Sequence, residues 1–196
     1  MMSRIGQVAR KMKLLLGYFI GCSNTTNRAV KHLAIITKND EYGTPLFLFQ
    51  EACQKFKCSP VIDYFASHTN HTLKKYYTKN EDAFLQEWTD PGFINPPYSI
   101  VAKVIKKAWE EHQKHNIELL LLTYSKSDTK WWHEFVEEKA EVHFIKGRIK
   151  FLDSKGNQTK LSAPYPSCWI IYRPKEEIKV RVQSMFPNRQ KYGKLR

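Results

Sequence analysis

Apolar positions along the chain fall into short runs whose period switches between two and 3.6, with polar turns between them. His32–Thr37 (HLAIIT) reads as a short strand. After the turn Asn39–Gly43, Thr44 suits a helix N-cap and Pro45 the first helical position, and Leu46–Phe56 supplies an apolar stripe. Pro60–Phe65 is β-branched and aromatic, and predicts a buried strand ending at Asp63 or just after. Ala66–Tyr77 reads as a polar turn with room for a helix, and Ala83–Trp88 is ambiguous. Gly92–Ile94 predicts a short buried strand, stopped by two prolines that neither a central strand nor a helix interior accepts.

The second half is more sharply patterned. In Ser99–His115, Ile100, Val101, Val104, Ile105, Ala108 and Trp109 share one helical face, with Lys106, Lys107, Glu110 and Glu111 opposite. Ile117–Thr123 (IELLLLT) is a continuous apolar run, as expected of a strand covered on both faces. Asp128–Lys139 predicts a second helix and Glu141–Ile145 another strand. Gly147–Phe151 and Ser167–Tyr172 read as two late strands joined by a polar loop at Asp153–Lys160, and a basic tail follows from Pro174. Alternating strands and helices predict an α/β fold with a mainly parallel sheet and a late antiparallel hairpin. In such sheets ligands bind beyond the carboxyl ends of the strands. The candidate site turns follow Val61–Asp63, Ala83–Trp88 and Gly92–Ile94.

Composition narrows the partner. The 196 residues carry 32 Lys and Arg against 19 Asp and Glu, a net charge of +13, which points to an anionic macromolecule such as nucleic acid. The chain has no run of about 18 apolar residues, so no membrane-spanning helix is expected. The basic-then-apolar segment 1–24 resembles a short signal peptide, but Gly17 and Tyr18 interrupt its apolar stretch. It is expected instead to be a peripheral part of a cytoplasmic protein. Cys22, Cys53, Cys58 and Cys168 form no C-x-x-C pair. The pairs His68/His71 and His112/His115 have no third ligand at a useful spacing, so no metal is expected.

The chemistry lies in Asn95-Pro96-Pro97-Tyr98. A polar residue, two prolines and an aromatic directly after a buried strand build a rigid protruding loop. By average proline usage such a tetrapeptide occurs in about one chain in a hundred of this length. The prolines fix φ and lack N–H groups, which leaves nearby carbonyls free to accept from a ligand. Asn95 adds a side-chain carbonyl and Tyr98 a flat face. Such a loop can hold a planar exocyclic amine. Two acceptors on its hydrogens draw the nitrogen toward sp³ and concentrate the lone pair that the aromatic ring otherwise delocalises.

Asn95–Tyr98 resembles the catalytic motif of amino-methyltransferases that use S-adenosylmethionine. Roughly residues 39–172 are similar to the phage-type Dam family of DNA N6-adenine methyltransferases. The matching parts, in the family's order, are Asp40–Pro45, Asp63–Ser67, Asn95–Ser99, Leu119–Leu122, Trp131-Trp132 and Gly147–Phe151. The resemblance implies a Rossmann-like methyltransferase fold over 39–174, an N-terminal extension over 1–38 and a basic tail over 175–196. It implies cofactor contacts from Tyr42, Thr44, Pro45, Asp63, Phe65, Ser67 and Asp82. It places Asn95, Pro96, Pro97 and Tyr98 on the target amine, and Arg148 and Lys150 on the nucleic acid. The loop after Asp63 departs from the usual glycine-rich pattern: Phe65-Ala66-Ser67-His68 contains no glycine.

The expected reaction is methyl transfer from S-adenosylmethionine to N6 of an adenine flipped out of duplex DNA, in a bacterial or phage-infected cell. Only 31 residues separate Asp63 from Asn95, so no separate recognition domain fits between them, and short or loose specificity is expected from the Asp153–Lys160 loop and the tail. The same tetrapeptide also suits methylation of an RNA base or a protein glutamine. The glycine-poor loop keeps open a nucleic-acid-binding relative without activity.

Overall fold

A computed structural model of the chain describes residues 42–175. The predicted strand at His32–Thr37, the N-terminal extension and almost all of the basic tail lie outside the described residues. Helix α1 spans Leu46–Phe56, α2 Val101–His115 and α3 Lys130–Phe135, with a 3₁₀ turn at Tyr98–Ile100. The strands are β1 (Ile62–Asp63), β2 (Lys75–Tyr76), β3 (Gly92–Ile94), β4 (Leu119–Tyr124), β5 (Glu141–Phe144) and β6 (Ser167–Tyr172). They form a six-stranded sheet in the order β2-β1-β3-β4-β6-β5. The pairs β2–β1, β1–β3 and β3–β4 are parallel. Strand β6 runs antiparallel to both β4 and β5, between which it is inserted. The architecture is thus mixed α/β, mostly parallel, with two antiparallel pairings at its end, both made by β6.

Both faces of this sheet are covered, which is why β4 is a continuous apolar run. Leu119 and Leu121 join Ile170 and Tyr172 in one core, sealed by Val101, Val104, Ile105 and Ala108 of α2. Leu120 and Leu122 join Phe93, Trp169 and Ile171 in the other, sealed by Phe49, Ala52 and Phe56 of α1. Each of the four leucines is 0% exposed. Burial of that kind stabilises by about 1.5–3 kcal/mol per side chain. Trp131 and Trp132 are both buried in the first core. Helix α2 ends at Asn116, whose left-handed φ of 52° lets its N–H reach the His112 carbonyl.

At the far edge, Arg173 anchors three elements. Its guanidinium, only 2% exposed, bonds the Glu118 carboxylate at 2.5 Å, the Phe56 carbonyl at 2.6 Å and the Glu141 carboxylate at 3.3 Å.

Four expectations need correction. Pro45, not Thr44, is the N-cap of α1, and no side chain caps it. The Pro45 carbonyl accepts from Leu48 and Phe49, so the helix starts one residue later than predicted. Residues 66–77 hold no helix and end in β2. Asp63 binds the Thr72 N–H and Asn70 the Ser67 N–H, and side-chain acceptors of this kind compete with helical bonding. The segment predicted as a helix over Asp128–Lys139 is helical only over Lys130–Phe135 and then tightens into turns, with Glu138 at φ 59°.

Gly147–Phe151 is not a sheet strand; the antiparallel partners of β6 are β4 and β5. The segment still alternates, with Ile149 and Phe151 buried and Arg148 and Lys150 exposed. Its bonds go elsewhere: the Ile149 carbonyl accepts from Ala163, that of Phe151 from Thr159, and Leu152 exchanges two bonds with Gly43.

Candidate active site

Strands β1 and β3 lie side by side in parallel, so the segments leaving their carboxyl ends emerge together. They border one cavity of about 260 Å³, lined by Phe65, Ala66, Ser67, Asn95, Pro96, Pro97 and Tyr98 together with Tyr42, Asp82, Phe84 and Phe151. That is close to the roughly 300 Å³ at which ordinary small-molecule sites begin. Two of the three predicted turns are therefore at the site. The third is not: Asp82, Ala83 and Phe84 line the cavity, but that segment is no strand and its end, Trp88, is buried in the core. Trp88 stacks on Tyr64 at 4.4 Å and donates its indole N–H to the Ala83 carbonyl at 2.9 Å, which braces the cavity wall from behind.

Gly92 is required by this brace. A Cβ there would stand 2.2 Å from a carbon of the Tyr64 ring.

Asn95 is held from across the molecule. Its Nδ2 donates to the Tyr42 carbonyl at 3.0 Å and to the Thr44 hydroxyl at 3.0 Å. A carbonyl oxygen can only accept, so the atom facing Tyr42 must be the amide nitrogen. Oδ1 is then the atom left to accept. The Pro96 carbonyl likewise accepts no backbone N–H among the described residues, whereas that of Pro97 accepts from Ile100. The Tyr98 ring meets Tyr124 edge-on at 5.0 Å, and Tyr165 lies 6.3 Å away.

Asp63 stands behind the cavity rather than in its lining. It is 2% exposed and accepts from the Phe65 N–H at 3.3 Å and the Thr72 N–H at 3.0 Å. Burial pushes its carboxyl up to about 6, against the pull of those two bonds. This carboxylate ties down both ends of the turn that carries Ser67. Ser67 in turn donates its backbone N–H to Asn70 Oδ1 at 2.6 Å.

Phe65 and Phe84 meet edge-on at 5.6 Å. Asp82, at a left-handed φ of 45°, accepts the Phe84 N–H at 3.0 Å.

Of the residues singled out in the sequence, Tyr42, Phe65, Ser67, Asp82 and Asn95–Tyr98 line the cavity. Thr44, Pro45 and Asp63 do not, and Arg148 and Lys150 are exposed outside it. Sequence reasoning missed Asn70, Tyr77, Thr78, Phe84 and Ile100 in the lining. Thr78 had a usable signal: with Glu81 it makes a Thr-x-x-Glu turn in which the carboxylate accepts both the Thr78 N–H and its hydroxyl.

Comparison with known proteins finds phage relatives. A DNA N-6-adenine-methyltransferase of Haemophilus phage HP1 (strain HP1c1) is 25% identical over 138 residues, covering 69% of this chain and 80% of that protein. A DNA N-6-adenine-methyltransferase of Escherichia phage T1 is 28% identical over 99 residues, covering 50% of this chain and 41% of that one. No solved structure matches. The model of the DNA N-6-adenine-methyltransferase (Dam) family matches residues 33–194, most of the chain, which therefore belongs to that family.

Proposed function

We propose that this DNA adenine-N6 methyltransferase takes its methyl group from S-adenosylmethionine held in the cavity beyond β1 and β3, on a Rossmann-like methyltransferase fold. We propose further that its adenine is flipped out of the duplex to meet Asn95–Tyr98. The observation that carries this reading is the orientation of Asn95, whose two amide hydrogens are taken and whose Oδ1 remains to accept.

The lining suits the cofactor. Phe65 and Phe84 offer apolar faces for an adenine ring, and Asp82 and Ser67 offer polar groups for a ribose and an amino acid. When bound, S-adenosylmethionine supplies an electrophilic methyl group on a sulfonium. Tyr42 borders the same cavity. Thr44, Pro45 and Asp63 act on it from behind, through the loops they hold.

An adenine inside a duplex cannot reach the cavity, and flipping it costs a few kcal/mol. Tyr98 offers the ring on which the extruded base stacks. Asn95 Oδ1 and the Pro96 carbonyl accept the two N6 hydrogens, so the lone pair becomes available as the new C–N bond forms. No side chain has to remove a proton first, because the methylated nitrogen is acidic and releases one afterwards. The prolines keep both acceptors in place without reorganisation. Arg148 and Lys150, exposed on one side of the segment behind Phe151, supply phosphate contacts.

The test is a transfer assay with labelled S-adenosylmethionine and unmethylated duplex DNA, digested to nucleosides and resolved by mass spectrometry. N6-methyldeoxyadenosine is the expected product. A label found only on RNA or on protein glutamine overturns the DNA reading.

A further inference from the structure

We propose that Thr44 is a positioning residue for Asn95 and not a cofactor contact: its hydroxyl, with the Tyr42 carbonyl, holds the Asn95 amide so that Oδ1 faces the reacting amine. This rests on Asn95 being the N6 acceptor.

A free asparagine side chain can present either end of its amide, and the two ends do opposite things. Nδ2 turned to the cavity would meet the hydrogens of an incoming amine with its own. Oδ1 accepts them. The Tyr42 carbonyl accepts Nδ2 at 3.0 Å, and the Thr44 hydroxyl accepts it at 3.0 Å as well. The Tyr42 carbonyl cannot donate, so it sets which end of the amide faces it, and the Thr44 hydroxyl holds that end by accepting its second hydrogen.

Thr44 is 7% exposed and, unlike Tyr42 and Asn95, is not part of the cavity lining. The segment that carries both acceptors is itself pinned. Gly43 donates to the Leu152 carbonyl at 2.9 Å, and Leu152 donates back at 2.8 Å. Supporting hydrogen bonds on a fixed backbone are what keep a reacting group within the narrow tolerance catalysis requires. Thr44 also borders a second cavity, with Asn70 and His71, and a cofactor that reached this cavity would touch it directly. A binding measurement separates the two roles.

Thr44→Val keeps the side-chain volume and removes the acceptor, whereas Thr44→Ser keeps the oxygen. In Thr44→Val, kcat at saturating DNA and cofactor is expected to fall at least tenfold. The Kd for S-adenosylmethionine, read by calorimetry on the protein alone, should stay within about twofold. Thr44→Ser should restore most of kcat. In an Asn95→Ala background Thr44→Val should cost nothing further, because its effect passes through Asn95. Proton NMR gives a readout free of activity: the two Asn95 side-chain amide protons of the unaltered protein should exchange slowly with solvent.

A tenfold weaker Kd with kcat preserved makes Thr44 a cofactor residue and overturns the inference. So does full turnover in Thr44→Val, or fast exchange of both Asn95 protons. Full turnover in Asn95→Ala sinks the reading of Asn95 itself, whereas an inactive Asn95→Ala beside a fully active Thr44→Val sinks only this inference.

Discussion

Asn95 and Asp63 are both polar residues at the carboxyl ends of neighbouring strands, yet the structure places them differently. Asn95 lines the cavity and Asp63 does not. Asn95→Ala should therefore lower kcat by two orders of magnitude or more, while the cofactor Kd, measured by calorimetry, changes little. Asp63 is expected to act on stability and loop shape. Its carboxyl is raised to about 6 by burial, against about 3.9 in an unfolded chain. The folded state therefore binds this proton more tightly than the unfolded one. The resulting stabilisation is complete below about pH 4 and is lost as pH rises through about 6. Asp63→Asn, which cannot ionise, should remove that dependence. The stability of the unaltered protein relative to Asp63→Asn should fall by about 2–3 kcal/mol between pH 4 and 7, as read from urea unfolding at each pH.

Among elements, the parallel pair β1–β3 decides the geometry of the site, and its tolerance is small. Gly92 opens β3 against the Tyr64 ring that follows β1, and Tyr64 stacks on Trp88 behind the cavity. Gly92→Ala must push the ring away. It should cost about 1–3 kcal/mol in denaturant unfolding, in the range of overpacked cores. Because the Tyr64 side chain also borders the cavity, the same substitution should weaken cofactor binding. The long helix α2 and the late pair β5–β6 carry no cavity residue. Helix α2 supplies a layer that buries the sheet, and β5–β6 extend the sheet itself. Arg173 fastens β6 to the end of α1 and to the loop before β4 through the Phe56 carbonyl and Glu118.

At the scale of the whole molecule, the net charge of +13 meets a polyanion. Arg148 and Lys150 stand on the exposed side of a segment whose buried side, through Phe151, forms part of the cavity wall. Phosphate contacts there would hold the duplex beside the Asn95–Tyr98 loop without reading sequence. Arg148→Ala and Lys150→Ala should each weaken DNA binding to a similar extent on any sequence. Each should also flatten the slope of log affinity against log salt by about one, with cofactor affinity unaltered. A salt titration by fluorescence anisotropy on two unrelated duplexes checks this. Among the described residues no helix is long and apolar enough to cross a membrane.

What the chain by itself determined is whatever depends on near neighbours. The period of Val101–His115, the apolar run of β4 and the stop at Asn95-Pro96-Pro97 are local properties, and they made the helix, the central strand and the Asn95–Tyr98 loop legible. The family was legible too, because its motifs are contiguous. Pairing of residues distant in the chain was not. The insertion of β6 between β4 and β5, and the bonds that take Gly147–Phe151 out of the sheet to Thr159 and Ala163, depend on which backbone groups meet after collapse. Thr44 shows the same division at one residue. Its local signal is that of a helix cap, which many threonines before a proline share. Only the fold brings a side chain 51 positions away to within 3.0 Å of its hydroxyl and gives that oxygen another partner. A hydrogen bond needs both its groups in one place, and local sequence specifies only one of them.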